Sequence, residues 1–317
     1  MIAKAFQKLN YTSVTVSSLL LVGVSYYYSN LEFKWSLFES RLLNGIIIFG
    51  ALMLTNYAID TVTRQLTIER TNRNAYHLLL YPIVVLSFPV ETVDMRFILA
   101  SAATWSAWRN TRLFFEATNN NEKLKRLLDA ALLITISSVF ILENILVLLI
   151  PLILLVIANV KRDIKHFIIL IGTPLIMLPT IHIIISFIGL DLLLFSSYIF
   201  EAEDQLQISK VESFEIPISF GSLTLIIIYF IIAVAVKLRK TSGFQRRALD
   251  VAGILFFFTV ISFFMLNKGL SGSEFHYISL ILVYFIAQIF VKKINSFYIN
   301  FIFISIIAST IIFRFIL

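Results

Sequence analysis

Cysteine is absent from the 317-residue chain, and its absence excludes disulfide bonds, thiolate metal ligands and cysteine nucleophiles. Glycine is scarce, with 10 residues, and the chain has no P-loop, no dinucleotide-binding glycine pattern and no G-x-S-x-G sequence. Charged residues make up only 14% of the chain, whereas a soluble globular domain has roughly 25%. These shortages exclude the common nucleotide-binding and serine-hydrolase sites.

Histidine is also rare, and its four positions do not suggest a metal site. The residues are His77, His166, His182 and His276. No two of them are three or four positions apart, which is the spacing that places two ligands on one helical face. We therefore expect neither a metal nor another cofactor.

Apolar residues dominate what is present, at 59% of the chain with a mean hydropathy of +0.90. Apolar runs of nearly 20 residues recur from end to end, and each could cross a hydrocarbon core of about 30 Å. The prediction is an all-α, polytopic transmembrane helical bundle of about 11 spans in a single integral-membrane domain over residues 1–317. The expected spans are 13–29, 42–60, 75–90, 95–115, 127–142, 144–160, 166–189, 218–237, 249–267, 275–291 and 296–316.

The distribution of basic residues predicts the orientation. Most of the 26 lysines and arginines fall in alternate connections, and cytoplasmic connections are the ones enriched in these residues. This places the N-terminus in the cytoplasm and the C-terminus on the outer side of a bacterial inner membrane. Net charge of +7 is explained by this pattern, so we expect membrane lipids and membrane proteins as partners and no nucleic acid.

Prolines interrupt two of the expected spans. Pro82 lies in the third span, and Pro174 and Pro179 lie in the seventh. Proline leaves a backbone carbonyl without its helical donor, so these helices are expected to be kinked and packed against neighbours. The alternative is a broken helix that lines a cavity, as in transporters. Residues 190–217 are expected to form an interfacial segment on the outer face.

Polar residues near the outer ends of the spans suggest one candidate cavity. Asp94 and Arg96 lie at the outer start of the fourth span, so the two could pair locally. They could also line an outer vestibule, because ionisable residues within membrane segments are often functional. The candidate outer cavity consists of Arg96, Glu143 and His182.

A second candidate surface begins at "TWSAWRNTRLFF", residues 104–115. Two tryptophans and two arginines here repeat at a spacing of four, which places each arginine beside an indole on a helix. Tryptophan favours headgroup depth, and arginine can reach lipid phosphate. We expect a cytoplasmic anchor, which could also hold a lipid headgroup or an acidic partner through the basic segment 109–126. The anchor residues are Trp105, Trp108, Arg109, Arg112, Lys123, Lys125 and Arg126.

The same region carries a family resemblance. Residues 98–157, with Asp129 and Ala130 entering the next span, resemble the middle of an uncharacterised multi-pass family of Bacteroidota inner membranes. The segment "KRDIKHFIILIGTPLIMLP" (161–179) is similar to that family's next segment, and "MIAKAFQKLN" is similar to its start. The resemblance covers roughly residues 1–180. It implies a compartment and a lineage, and no reaction.

Two functional hypotheses follow from the sequence. The leading one is a non-enzymatic subunit of an inner-membrane complex for envelope biogenesis, secretion or motility, since the connections hold no soluble domain. The alternative is a transporter, a flippase or a lipid-linked glycan polymerase with an outer-facing polar cavity.

Overall fold

The computed structural model describes residues 9–65, 75–88, 92–157, 164–188 and 272–287, together with Phe6, Val90 and short stretches within 226–235 and 300–308. The predicted span 249–267 and the outer segment 190–217 lie outside these residues.

The described chain is mostly helical, which confirms the all-α expectation at this level. Eight α-helices are defined here. They are α1 (Tyr11–Asn30), α2 (Arg41–Gln65), α3 (Tyr76–Leu86), α4 (Met95–Glu116), α5 (Asn120–Phe140), α6 (Leu149–Ile157), α7 (Ile164–Ile188) and α8 (His276–Ala287).

Two short strands were not expected from the sequence. β1 (Glu32–Trp35) and β2 (Thr92–Asp94) pair in parallel, with Glu32 opposite Thr92 and Phe33 opposite Val93. β1 directly follows α1, and β2 follows α3 after a short link. The β-branched and aromatic side chains of these strands suit a pleated, half-buried position. Such three- and four-residue strands are too short to leave a periodic signal beside long apolar runs.

The helices follow the predicted spans, but several are shorter or more polar than a membrane crossing requires. Among the described residues, two stretches are long and apolar enough to cross a membrane by length and composition, Arg41–Thr63 and Ile164–Ile185. These two helices support association with a membrane and do not support a count of eleven. The third predicted span, 75–90, is helical only over Tyr76–Leu86. The sixth begins as a 3-10 helix over Leu142–Leu148 before α6.

Contacts divide the chain into two compact units. Unit 1 comprises Met1–Ile98, Ser213–Thr241 and Ser271–Leu317, and unit 2 comprises Leu99–Glu212 and Ser242–Leu270.

Unit 1 contains α1, α2 and α3 in an up-down-up arrangement. Asn56 of α2 bonds to Ser17 of α1, whereas Gly45 of α2 approaches Ser29 near the other end of α1, so α1 and α2 are antiparallel. Ser17 bonds to the carbonyl of Leu78 and Tyr28 to that of Val85, so α1 and α3 run parallel. This alternation is what consecutive membrane crossings require. Helix α8 packs against α3, and both helices are buried along almost their whole length.

Unit 2 is built around α5 and α7. Its core contains Phe114, Leu127, Ile134, Leu148 and Leu170, all of them buried. Helix α5 begins at Asn120 because the side chain of Asn119 accepts a hydrogen bond from the Asn121 N–H, as an N-cap residue does. Lys123, Lys125 and Arg126 therefore lie in the first turns of α5, which begins before the predicted start of the fifth span at residue 127.

Candidate functional site

Asp60 and His77 form a buried polar pair in unit 1. Oδ1 of Asp60 lies 2.9 Å from Nε2 of His77, and the side chains are 13% and 1% exposed. Asp60 lies in the last third of α2, and His77 lies in the first turn of α3. Nδ1 of His77 is buried and has no hydrogen-bond partner among the described residues. Ionisable residues within an apolar helix bundle are candidate functional sites by default.

Sequence reasoning missed this pair, although a signal was present. Each residue is an ionisable side chain near the cytoplasmic end of its predicted span. Consecutive antiparallel helices bring those ends together, so a carboxylate and an imidazole there are natural partners. Hydropathy does not show how two consecutive helices pack against each other, so it does not show whether these two side chains meet.

A series of hydrogen bonds lies one helical turn from this pair and supplies the donor that is missing at Pro82. Proline has no N–H, so the carbonyl of Leu78, four residues earlier, lacks its helical donor. The hydroxyl of Ser17 donates to that carbonyl at 2.8 Å. Nδ2 of Asn56 then donates to Oγ of Ser17 at 3.2 Å. Three helices are therefore joined at the proline, which confirms that this helix is packed against neighbours at its interruption.

Asp94 and Arg96, at the other end of unit 1, pair locally as the sequence suggested. Nε and Nη2 of Arg96 donate to Oδ1 and Oδ2 of Asp94 at 3.0 and 2.7 Å. The Asp94 side chain is fully buried, and the N–H of Arg96 also donates to Oδ1 at 3.0 Å. The guanidinium lies 5.8 Å from the centre of the Trp35 ring, within the range of a cation–π contact. Arg96 therefore ties α4 to the strand pair.

Ser273 adds a further connection to this end. The N–H of Asp94 donates to Oγ of Ser273 at 3.0 Å, across 179 residues of sequence. Gly272 precedes it with φ of 83°, a left-handed conformation that favours glycine. Arg96 makes two side-chain hydrogen bonds to Asp94 and lies over the Trp35 ring, so its guanidinium has a structural role.

The other two residues of the candidate outer cavity lie in unit 2. Oε2 of Glu143 is buried and has no hydrogen-bond partner in the described part of the chain. His182 is exposed on α7. The proposed constellation of Arg96, Glu143 and His182 stays a prediction, now with Arg96 held by Asp94.

The tryptophans of "TWSAWRNTRLFF" are buried against other side chains, and their role as an anchor at headgroup depth stays a prediction. Trp105 is 1% exposed and Trp108 is 8% exposed. Both line a small recess together with Ile134 and Pro151. The Arg112 side chain is buried as well, at 1%. Large rings next to a short loop fill the space between packed helices, and burial of this area stabilises unit 2.

The basic residues that follow differ in how exposed their side chains are. Arg109, Lys123 and Arg126 are half-buried, and Lys125 is exposed. The spacing of four between Glu122 and Arg126 predicts an ion pair on a helix, and the two side chains lie 3.5 Å apart. A surface pair of this kind contributes only about 0.3–0.5 kcal/mol. Lys125 is thus the exposed basic residue of the predicted anchor, and the anchor itself stays a prediction.

A group of buried polar side chains lies between the predicted fifth and sixth spans. Oγ of Ser137 lies 2.8 Å from Oγ1 of Thr104 and donates to the carbonyl of Ala100 at 2.8 Å. Nδ2 of Asn144 donates to Ser137 Oγ at 2.6 Å. These hydrogen bonds join α4, α5 and the 3-10 helix between the fifth and sixth predicted spans.

Comparison with known proteins gives no assignment. No family model matches the chain, and no curated protein and no solved structure matches it. The resemblance to the Bacteroidota family stays a prediction, and the function is argued from the residues.

Proposed function

We propose that the chain is a multi-pass protein of a bacterial inner membrane, crossing it about eleven times with a cytoplasmic N-terminus and an outer C-terminus. Within that membrane it serves as a non-enzymatic subunit of a complex for envelope biogenesis, secretion or motility. Membrane lipids and the helices of a partner protein are its expected contacts.

The arrangement of side chains on α1 supports a membrane setting. Its buried face includes Ser13, Ser17 and Ser25, whereas Leu19 is 65% exposed and Tyr26 is 70% exposed. A helix at the surface of a soluble protein shows the reverse pattern, with its apolar stripe inward. Small and hydroxyl side chains are typical of helix contacts within membranes, where they allow close approach and hydrogen bonding.

Helix α7 carries the proposal of a partner. Its apolar side chains are largely uncovered, with Ile176 at 69% and Phe187 at 87% exposed. Pro179 on the same helix leaves the carbonyl of Leu175 without its helical donor. Lipid tails cannot hydrogen-bond to this carbonyl, whereas a polar side chain of a neighbouring helix can. A mixed apolar and polar face therefore favours an apolar helix of another protein as the occupant.

A photo-crosslinking side chain placed on α7 tests the partner. We expect a probe at the exposed position Ile176 to yield one dominant protein adduct in native membranes. The same probe at Leu170, which is buried in the core of unit 2, should yield none and is the matched control. Adducts with lipid alone from Ile176 would contradict the proposal.

The orientation is tested separately, and the absence of cysteine simplifies the experiment. Single substitutions Ser36→Cys and Asn119→Cys create unique thiols in two connections that the topology places on opposite sides. A membrane-impermeant maleimide added to intact spheroplasts should label position 36 and spare position 119. Equal labelling at both positions, or the reverse pattern, would contradict the topology.

A transporter is the second candidate, and one observation favours it. The buried pair Asp60 and His77 is the type of intramembrane group that ion pathways and proton relays use. The lipid-linked glycan polymerase is less favoured, because Arg96 is committed to Asp94. Uptake into proteoliposomes under an imposed proton gradient tests the transporter. Loss of that uptake in Asp60→Asn, with retained folding, is its expected result, whereas no uptake by the wild type contradicts it.

A further inference from the structure

Facing turns of α2 and α3 carry polar side chains inside unit 1. On α2, Asn56 and Asp60 are four residues apart, and on α3, His77 and Tyr81 are as well, so each pair lies on one helical face. The contact of 2.9 Å between Asp60 and His77 fixes how the two helices are aligned. Because α2 and α3 are antiparallel, Asn56 and Tyr81 both lie one turn from this contact in the same direction.

Three polar atoms in this region are buried without a hydrogen-bond partner among the described residues. They are Oδ1 of Asn56, Nδ1 of His77 and the hydroxyl oxygen of Tyr81. The exposed fractions of these residues are 6%, 1% and 0%, so the three atoms have no contact with bulk solvent. Buried polar atoms are costly to leave unpaired, and nearly all of them in folded proteins have a partner. A ligand that can hydrogen-bond to all three is therefore expected.

The neighbouring hydroxyl groups have already donated their hydrogens. Thr55 lies beside the Tyr81 hydroxyl, but it donates to a carbonyl of its own helix at 3.1 Å. Ser17, which accepts from Nδ2 of Asn56, donates to a carbonyl of α3 at 2.8 Å. Oδ1 of Asn56 and the oxygen of Tyr81 therefore remain open to an added donor.

Water has the chemistry that these atoms require. An amide oxygen only accepts, a phenol hydroxyl donates and accepts, and an imidazole nitrogen accepts unless it carries a hydrogen. Water donates two hydrogens and accepts two, so it can bond to Nδ1 of His77 whether or not this atom carries a hydrogen. Water is also neutral and adds no charge to a buried site. A metal ion fits less well, because no group of three or more His, Asp or Glu side chains in the described part of the chain could hold one.

The spacing of the groups suits a single molecule of water. One helical turn rises about 5.4 Å, which is roughly twice the length of a hydrogen bond to water, about 2.8 Å. A water between successive turns can therefore reach His77 on one turn and Asn56 and Tyr81 on the next. Buried waters typically make about three hydrogen bonds, and three unpaired atoms lie here.

We propose that α2 and α3 hold an ordered water molecule that is hydrogen-bonded to Asn56, His77 and Tyr81. The water donates to Oδ1 of Asn56 and bonds to Nδ1 of His77, so each ring nitrogen of His77 has a partner, with Asp60 at the other. It links the two helices from within, and no covalent bond forms or breaks. The site does not depend on whether the chain is a complex subunit or a transporter.

X-ray radiolysis of the full chain in lipid nanodiscs tests the site. Brief irradiation converts water into hydroxyl radicals, which oxidise the side chains that the water touches, and mass spectrometry measures the oxidation of each residue. Tyr81 and Tyr28 are matched, because both are fully buried while the hydroxyl of Tyr28 donates to the Val85 carbonyl. We expect Tyr81 to be oxidised several-fold faster than Tyr28, with ¹⁸O incorporated from labelled water. Equal rates for the two tyrosines, whether high or low, would overturn the proposal.

Removing the acceptor on α2 is the decisive comparison. In Asn56→Leu, which changes the size of the side chain little, we expect the oxidation of Tyr81 to fall to the level of Tyr28. The control variant Thr135→Val, at a buried position of unit 2, should leave Tyr81 unchanged. Circular dichroism verifies folding, and Tyr81→Phe, which removes only the hydroxyl, should lower the oxidation of His77 and allows the test if Asn56→Leu does not fold. Unchanged oxidation of Tyr81 in folded Asn56→Leu, or of His77 in Tyr81→Phe, would also overturn the proposal.

Discussion

The substitution Ser17→Ala examines how the structure accommodates Pro82. It removes a hydroxyl that donates to the Leu78 carbonyl at 2.8 Å and accepts from Asn56 at 3.2 Å. The Cβ atom stays, so packing between the helices changes little. Both remaining polar groups are then buried without a partner.

The expected cost follows from these two lost hydrogen bonds. A buried polar group left without a partner costs about 1–3 kcal/mol in soluble proteins, whereas single hydrogen bonds between membrane helices average about 0.6 kcal/mol and reach about 1.7 kcal/mol. Two bonds to one hydroxyl therefore predict a loss of about 1–3 kcal/mol in the free energy of unfolding. Denaturant unfolding in detergent micelles measures this loss. Ser29→Ala is the matched control, because its hydroxyl bonds to the Tyr26 carbonyl of its own helix at an exposed position.

Pro82→Ala provides a second, independent arm of the same test. Alanine restores the N–H that can donate to the Leu78 carbonyl within α3, so the hydroxyl of Ser17 is no longer required there. We expect Ser17→Ala to cost measurably less in the Pro82→Ala background than in the wild type. Equal costs in both backgrounds, or a cost no greater than that of Ser29→Ala, would refute the reasoning.

Two further predictions concern the packing of unit 1. Asp94→Asn should lower the unfolding free energy by about 2 kcal/mol, because Arg96 loses its hydrogen bonds to a buried, charged carboxylate. Glu122→Gln, at an exposed pair, should cost under about 0.5 kcal/mol, and similar costs for both would contradict this view. Gly45→Val should destabilise by about 1–3 kcal/mol, because a Cβ there lies 3.3 Å from a side chain of α1. Gly50→Val, where an added Cβ meets nothing within 4 Å, is the control in the same assay, and equal free energies of unfolding for the two variants would refute the close approach.

The sequence by itself predicted features that depend on neighbours along the chain. Apolar runs placed the helices, and the spacing of Glu122 and Arg126 predicted their ion pair. Asp94 and Arg96 were recognised as a local pair for the same reason. Each of these contacts lies within one helix or one turn, where backbone geometry fixes which side chains meet.

Only the tertiary structure decided the contacts between helices. It buried Trp105 and Trp108, which composition alone would place equally well at a membrane surface. It brought Asp60 to His77 and Ser17 to the carbonyl freed by Pro82. In a chain this apolar, nearly every helical face is hydrophobic, so hydropathy cannot indicate which face turns inward. The few polar side chains resolve that ambiguity, because each must find a hydrogen-bond partner once water is excluded.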